Sequence, residues 1–79
     1  MDAPGDRTFA RILRDARHAA GYTQEDLAGK AKVSIRTIGN LERGVIRRPR
    51  PSTVRHLAKA LGMNHADTVR MHNAAHPRA

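Results

Sequence analysis

The 79-residue sequence contains no cysteine, which removes both a disulfide framework and a thiolate zinc site, so the fold must rest on packing alone. No apolar run approaches the roughly 20 residues that a membrane helix needs. The N-terminus, Met-Asp-Ala-Pro-Gly-Asp, has neither the basic n-region nor the apolar h-region of an export signal. These absences read as a soluble protein of the reducing cytoplasm. Carboxylates are scarce too: there are seven Asp and Glu together, and only Glu25 and Glu42 are glutamates. With no phosphate loop and no nucleophile elbow, the sequence supports no catalytic residue and reads as a non-enzyme. His72 and His76 stand one helical turn apart, with His65 seven residues before His72. Pro77 follows at once and no cysteine or acid cluster completes a shell, so neither a metal nor another cofactor is expected. A chain this short buries only about 60% of the surface its unfolded form exposes, so residues 1–79 are read as one domain.

What the sequence has in excess is positive charge. Fifteen Lys and Arg against seven Asp and Glu give a formal net charge of +8, and most of the cations are arginine, whose planar fork suits bidentate contacts to phosphate and guanine. The excess is localised. Between Lys30 and Arg55 stand Lys30, Lys32, Arg36, Arg43, Arg47, Arg48, Arg50 and Arg55 against the single acid Glu42. A face charged only for solubility would mix both signs, so a polyanion is the expected partner.

The hydrophobic spacing predicts helices throughout. Residues Met1–Asp6 carry no periodicity and read as a frayed terminus. Phe9, Ile12, Leu13 and Ala16 fall at i, i+3, i+4 and i+7, with Arg7, Arg11, Arg14 and Asp15 on the other face, and Gly21 ends this first helix. Thr23 is the N-cap of a second, with Glu25 and Asp26 in its first turn. It turns Leu27 and Ala28 inward and ends near Ala31. Val33 sits in a turn of about three residues. Ser34 then caps a third helix carrying Ile35, Ile38 and Leu41, which Gly44 stops. So tight a turn forces the two helices to cross steeply, leaving one face of the third outward. Val45–Pro51 reads as an extended basic loop. Ser52 is read as the cap of a fourth helix with Val54, Leu57, Ala58 and Leu61 inside, stopped by Gly62. Asn64 and Asp67 open a fifth to about Ala75. Only Val69 and Met71 give that last helix apolar character. It is therefore expected to pack loosely at the edge or to find cover on another subunit.

The stretch from Tyr22 to Gly44, YTQEDLAGKAKVSIRTIGNLERG, resembles the helix-turn-helix of the Cro/phage-repressor-like (XRE) family. The elements TQEDLA, VS, TI and LERG stand at the family's spacing, and the flanking helices extend the likeness over roughly Phe9–Leu61. The continuation RPRPSTVRHLAKALG is similar to the N-terminal domains of larger actinobacterial-type regulators, so the chain reads as an excised domain or a free-standing short regulator. The resemblance implies an all-α, four- to five-helix, lambda-repressor-like bundle with its core at about 7–62 and a C-terminal helix at about 65–75. It implies a nucleoid-associated regulator that binds double-stranded DNA with its third helix in the major groove.

On that alignment Ile35, Arg36, Thr37 and Asn40 read bases. Arg36 suits guanine O6 and N7, and Asn40 suits adenine N6 and N7. Ile35, where many phage repressors are polar, offers only contact with thymine methyls. Gln24, Ser34, Arg43, Arg47, Arg48 and Arg50 are expected on the phosphate backbone. Arg17 and Glu42 are implied to form an ion pair between the first helix and the end of the third, a scaffolding role. Lys32 occupies a turn position where the family usually has glycine in a left-handed conformation, and Gly29 is a weak spot inside the second helix. A protein-interaction module on the same fold, such as an antitoxin or docking domain, is the competing reading. Ile35, Val45 and Ile46 are its only apolar candidates. Proteins of this kind pair on half-sites about 34–36 Å apart, and the fifth helix is expected to give at most a weak homodimer.

Overall fold

Four of the five helices start where a side-chain oxygen takes over a free backbone N–H. The computed structural model describes residues 8–76 and places α1 at Phe9–Ala19, α2 at Gln24–Ala31, α3 at Ile35–Glu42, α4 at Pro51–Ala60 and α5 at His65–Ala75. The terminal segment at Met1–Asp6, Arg7 and Pro77 lie outside the described residues. No strand occurs among those described. Thr8, Thr23, Ser34 and Asn64 accept from the third residue of their helices. At α2 the bond is reciprocal, because the Asp26 carboxylate accepts in turn from the Thr23 N–H at 3.0 Å. The bond from the Thr23 N–H, aided by the Thr23 side chain, holds the exposed Asp26 carboxyl below its ordinary pKa.

The exception is α4, and it corrects the expectation for Ser52. The helix begins at Pro51 with Arg50 in the cap position and no side-chain cap, so Ser52 lies inside the first turn. A proline at the first helical position loses nothing, since its missing N–H would have no intrahelical partner there and its fixed φ already suits a helix. The preceding proline, Pro49, is buried in the loop.

α2 packs on α3 and α4, while α1 and α4 both pack on α5, and α1 closes on α3. Leu13, Leu27, Ile38, Leu41, Val54, Leu57 and Met71 are fully buried where these helices meet. Each such side chain contributes about 1.5–3 kcal/mol by leaving water. α5 is no loose edge: Met71 and Ala75, one turn apart, are both inaccessible to solvent, while Val69 is 41% exposed. Its weak periodicity reflects the use of alanine rather than a missing contact, because a small side chain lets helices approach closely without adding hydrophobicity to the pattern.

Position and angle of α3 depend on the three residues before it. Lys32 ends α2 with φ 59 and ψ 40, in the left-handed region, and the Val33 N–H returns to the Ala28 carbonyl at 3.1 Å. Val33 packs against the core, so the turn is pinned from inside. At its far end α3 stops in two backward bonds, from Gly44 N–H to Leu41 O and from Val45 N–H to Asn40 O. Gly44 supplies the positive φ of that motif without a Cβ penalty.

Lys32 is the one described residue other than glycine with positive φ. Replacing it with glycine is expected to stabilise the protein by about 0.5–1 kcal/mol, since a left-handed side chain costs about 1–2 kcal/mol and part of that is returned to the looser unfolded chain. In thermal unfolding followed by circular dichroism this appears as a rise of a few degrees. An unchanged or lower melting temperature would show that the turn carries no strain.

Candidate nucleic-acid interface

The face of α3 that looks away from the core is built by helical spacing. Ile38 and Leu41 point inward and are fully buried, which turns Arg36, Asn40 and Arg43, at i, i+4 and i+7, to the opposite side. Ile35 is 51% exposed at the start of the helix. Thr37 beside it shares a 2.8 Å hydrogen bond with Ser34, whose Oγ also accepts from the Thr37 N–H. Asn40 is engaged: its Oδ1 accepts from Arg43 Nη2 at 2.6 Å. Arg43 lies close over Gly39, where a Cβ would stand 3.1 Å from its Nη1. Arg36 is exposed and has no side-chain hydrogen bond or ion pair among the described residues.

The loop after α3 carries its arginines on an anchored backbone. Val45 and Ile46 both donate to the Asn40 carbonyl, at 2.9 and 3.2 Å. Ile46 packs against the core and Pro49 is buried, while Arg47, Arg48 and Arg50 are exposed. The alternation leaves three guanidinium groups at the C-terminal side of α3, with no acid between Arg43 and Arg50. Val45, 67% exposed, stands among them.

Beneath this surface lies a charged pair largely shielded from water. Arg17 and Glu42 are 9% and 8% exposed, and the guanidinium clasps the carboxylate in a fork, Nε to Oε2 at 2.6 Å and Nη2 to Oε1 at 3.0 Å. Arg17 Nη1 donates to the Tyr22 carbonyl at 2.9 Å, and Nη2 lies 3.2 Å from His18 Nε2. Gln24, expected on the phosphate backbone, gives its amide N–H to Glu42 Oε1 at 3.2 Å. Burial alone would push the Glu42 carboxyl up. The bonds from Arg17 and Gln24, with the charges of Arg17 and Arg14, more than offset it and hold the group below its usual pKa. The bond to Glu42 likewise raises Arg17. No buried side-chain nitrogen or oxygen is left without a partner among the described residues. The Gln24 and Tyr22 contacts escape sequence reasoning because a glutamine in the first turn and a backbone carbonyl carry no pattern of their own.

A short turn joining α2 to α3, an outward basic face on α3 and a buried tie to α1 together describe a known arrangement. The profile of the helix-turn-helix domain matches residues 8–71. The chain belongs to the helix-turn-helix domain family. No curated protein and no solved structure matches it. Membership points to DNA as the partner and away from catalysis. Among the described residues no helix is long and apolar enough to cross a membrane, and no group of His, Asp and Glu gathers as a metal site.

Removing one member of the buried pair strands the other. Arg17→Ala is expected to cost about 3–5 kcal/mol, a large part of the stability of a small domain, and calorimetry that found the melting temperature unchanged would contradict the role assigned to the pair. Because the folded-state pKa of Glu42 is depressed, its contribution is fully present above the ordinary carboxylate pKa and is lost as pH falls through the depressed value. Glu42→Gln is therefore expected to flatten the loss of stability on acidification. A variant as acid-sensitive as the wild type would assign that sensitivity to other carboxylates.

Proposed function

We propose that this helix-turn-helix domain binds double-stranded DNA sequence-specifically, as a cytoplasmic, nucleoid-associated transcriptional regulator of the Cro/phage-repressor-like (XRE) type or as the DNA-binding module of one. The likeness of RPRPSTVRHLAKALG to larger actinobacterial-type regulators favours the second form. The observation that carries the reading is Arg36: an exposed guanidinium, free of internal partners among the described residues, in the first turn of a helix whose other face is locked into the core.

In this reading α3 lies in the major groove. Arg36 takes guanine O6 and N7, Asn40 takes adenine or holds Arg43 in register, and Ile35 and Thr37 flank them. Ser34 at the N-terminus of α3, with Arg43, Arg47, Arg48 and Arg50, follows the phosphates on either side. Gln24 serves two partners, since its amide bonded to Glu42 stands at the N-terminus of α2, where free backbone N–H groups meet phosphate. The exposed Ile35 and Val45 are what favours the second reading, a protein-interaction module, for they put apolar surface on the same face. The acid-free arginine loop around them favours DNA.

Pairing is expected to be weak. α5 spends Met71 and Ala75 on the domain's own core, leaving Val69 as its exposed large hydrophobe, so the isolated chain is expected as a monomer by light scattering, completed as a dimer on DNA or through other regions. A nanomolar dimer would overturn this.

Selection of random duplex DNA by the purified chain at about 150 mM salt, near physiological ionic strength, tests the main reading. A short motif is expected to enrich. Arg36→Ala should lose about 1–3 kcal/mol of discrimination at one base pair, whereas Arg48→Ala should weaken all sequences alike and reduce the log–log salt slope by about 0.9. A pool with no motif would favour the interaction module, and identical behaviour of the two variants would abolish the division between base and backbone contacts.

A further inference from the structure

The lysines of this molecule gather in one place. The chain has three lysines, Lys30, Lys32 and Lys59, and all three line one cleft between α2 and α4, together with His56, Tyr22 and two alanines. The cleft holds about 540 Å³, within the roughly 300–1,000 Å³ typical of small-molecule sites. None of its lining residues is acidic, and none of the three ammonium groups has a carboxylate within ion-pair distance among the described residues. Lys30 is held over the Tyr22 ring, its Nζ 5.1 Å from the centroid. No residue assigned above to base reading or to the DNA backbone lines the cleft.

We infer that this cleft is a second anion site, which takes a small phosphate-bearing ligand. Like charges gathered along one open cleft repel one another and raise the positive potential between them, and a multiply charged anion relieves that repulsion. Lysine fits such a ligand, because its ammonium is a compact charge with three rotatable donors for the tetrahedral oxygens of phosphate, whereas arginine's flat fork suits the paired acceptors read at α3. The volume exceeds what an inorganic ion fills, and the half-buried Tyr22 and Ala60 give the organic part of a phosphate ester an apolar surface. The inference makes no use of the α3 surface, so it stands or falls apart from the DNA reading.

Pyrophosphate titrated into the 15N-labelled chain tests it. Saturable amide shifts are expected at Lys30, Ala31, Lys32 and Ala60. Lys30→Gln combined with Lys59→Gln should weaken binding by at least about tenfold, since two charge-assisted bonds are lost. Arg11→Gln combined with Arg70→Gln, which removes the same charge from other faces, should leave it nearly unchanged, and circular dichroism verifies that both variants are folded. Shifts confined to α3 and the arginine loop, shifts that never saturate, or equal weakening in both double variants would overturn the site. DNA binding supplies the remaining arm: if the lysine variant loses DNA affinity and salt dependence as Arg48→Ala does, the cleft is part of the phosphate track and not a separate site.

Discussion

The fork between Arg17 and Glu42 is the constraint on which the presentation of α3 depends. α1 and α3 are far apart in sequence and meet through apolar contacts that alone leave rotation and sliding partly free. A bidentate guanidinium–carboxylate pair at 2.6 and 3.0 Å has one geometry. Because it is buried, its Coulomb attraction is little screened, and its desolvation cost is met by further bonds from Arg17 to Tyr22 O and from Gln24 to Glu42. These bonds tie together the end of α1, the segment leading into α2, the first turn of α2 and the last turn of α3. Whatever angle α3 adopts, the first turn of α2 adopts with it, so the two elements that would face DNA move as one piece.

Most of the helical plan is legible in the sequence because its signals are local. Thr23, Ser34 and Asn64 cap by their own side chains, and Gly21, Gly44 and Gly62 stop helices by adopting a positive φ. Such signals depend on three or four neighbours and survive without knowledge of the fold. At Ser52 the local signal misleads, because Ser52 is an acceptable cap and Pro51 an acceptable first residue, and the proline's fixed φ starts the helix earlier, with Arg50 and not Ser52 in the cap position. α5 misleads for a different reason. Its burial rests on Met71 and Ala75 meeting α1 and α4, a non-local fit that hydrophobic periodicity does not encode.

The candidate interface is legible to the extent that it follows from helix geometry. Once Ile38 and Leu41 are inside, Arg36 and Asn40 must be outside. What the sequence does not carry is the hydrogen-bond pattern within the face: Arg43 folded back onto Asn40 over the space left by Gly39, and Gln24 turned toward Glu42. Both depend on side-chain rotamers, which answer to neighbours in space rather than in sequence. The gathering of all three lysines at one cleft is likewise invisible along the chain, where Lys59 stands far from Lys30 and Lys32.

The charge order of α3 runs against its own stability, and this inversion bears on what the helix is for. α2 obeys the helix dipole, with Glu25 and Asp26 in its first turn and Lys30 in its last. α3 has no acid in its first turn and no base in its last; Arg36 stands near the positive end and Glu42 near the negative one. At the exposed Arg36 the misplaced charge costs about 0.3–1 kcal/mol. Glu42 recovers its cost through Arg17, inside the protein. Arg36 has no such partner among the described residues, and burial of Ile38 and Leu41, at about 1.5–3 kcal/mol each, is ample to keep the helix formed without one. A helix held by its core face can carry a cation at its positive end, where both fields add outward. An approaching polyanion then meets the side chain and the free N–H groups of the first turn together, so the charge arrangement that weakens α3 in isolation is the one that an anionic groove would stabilise.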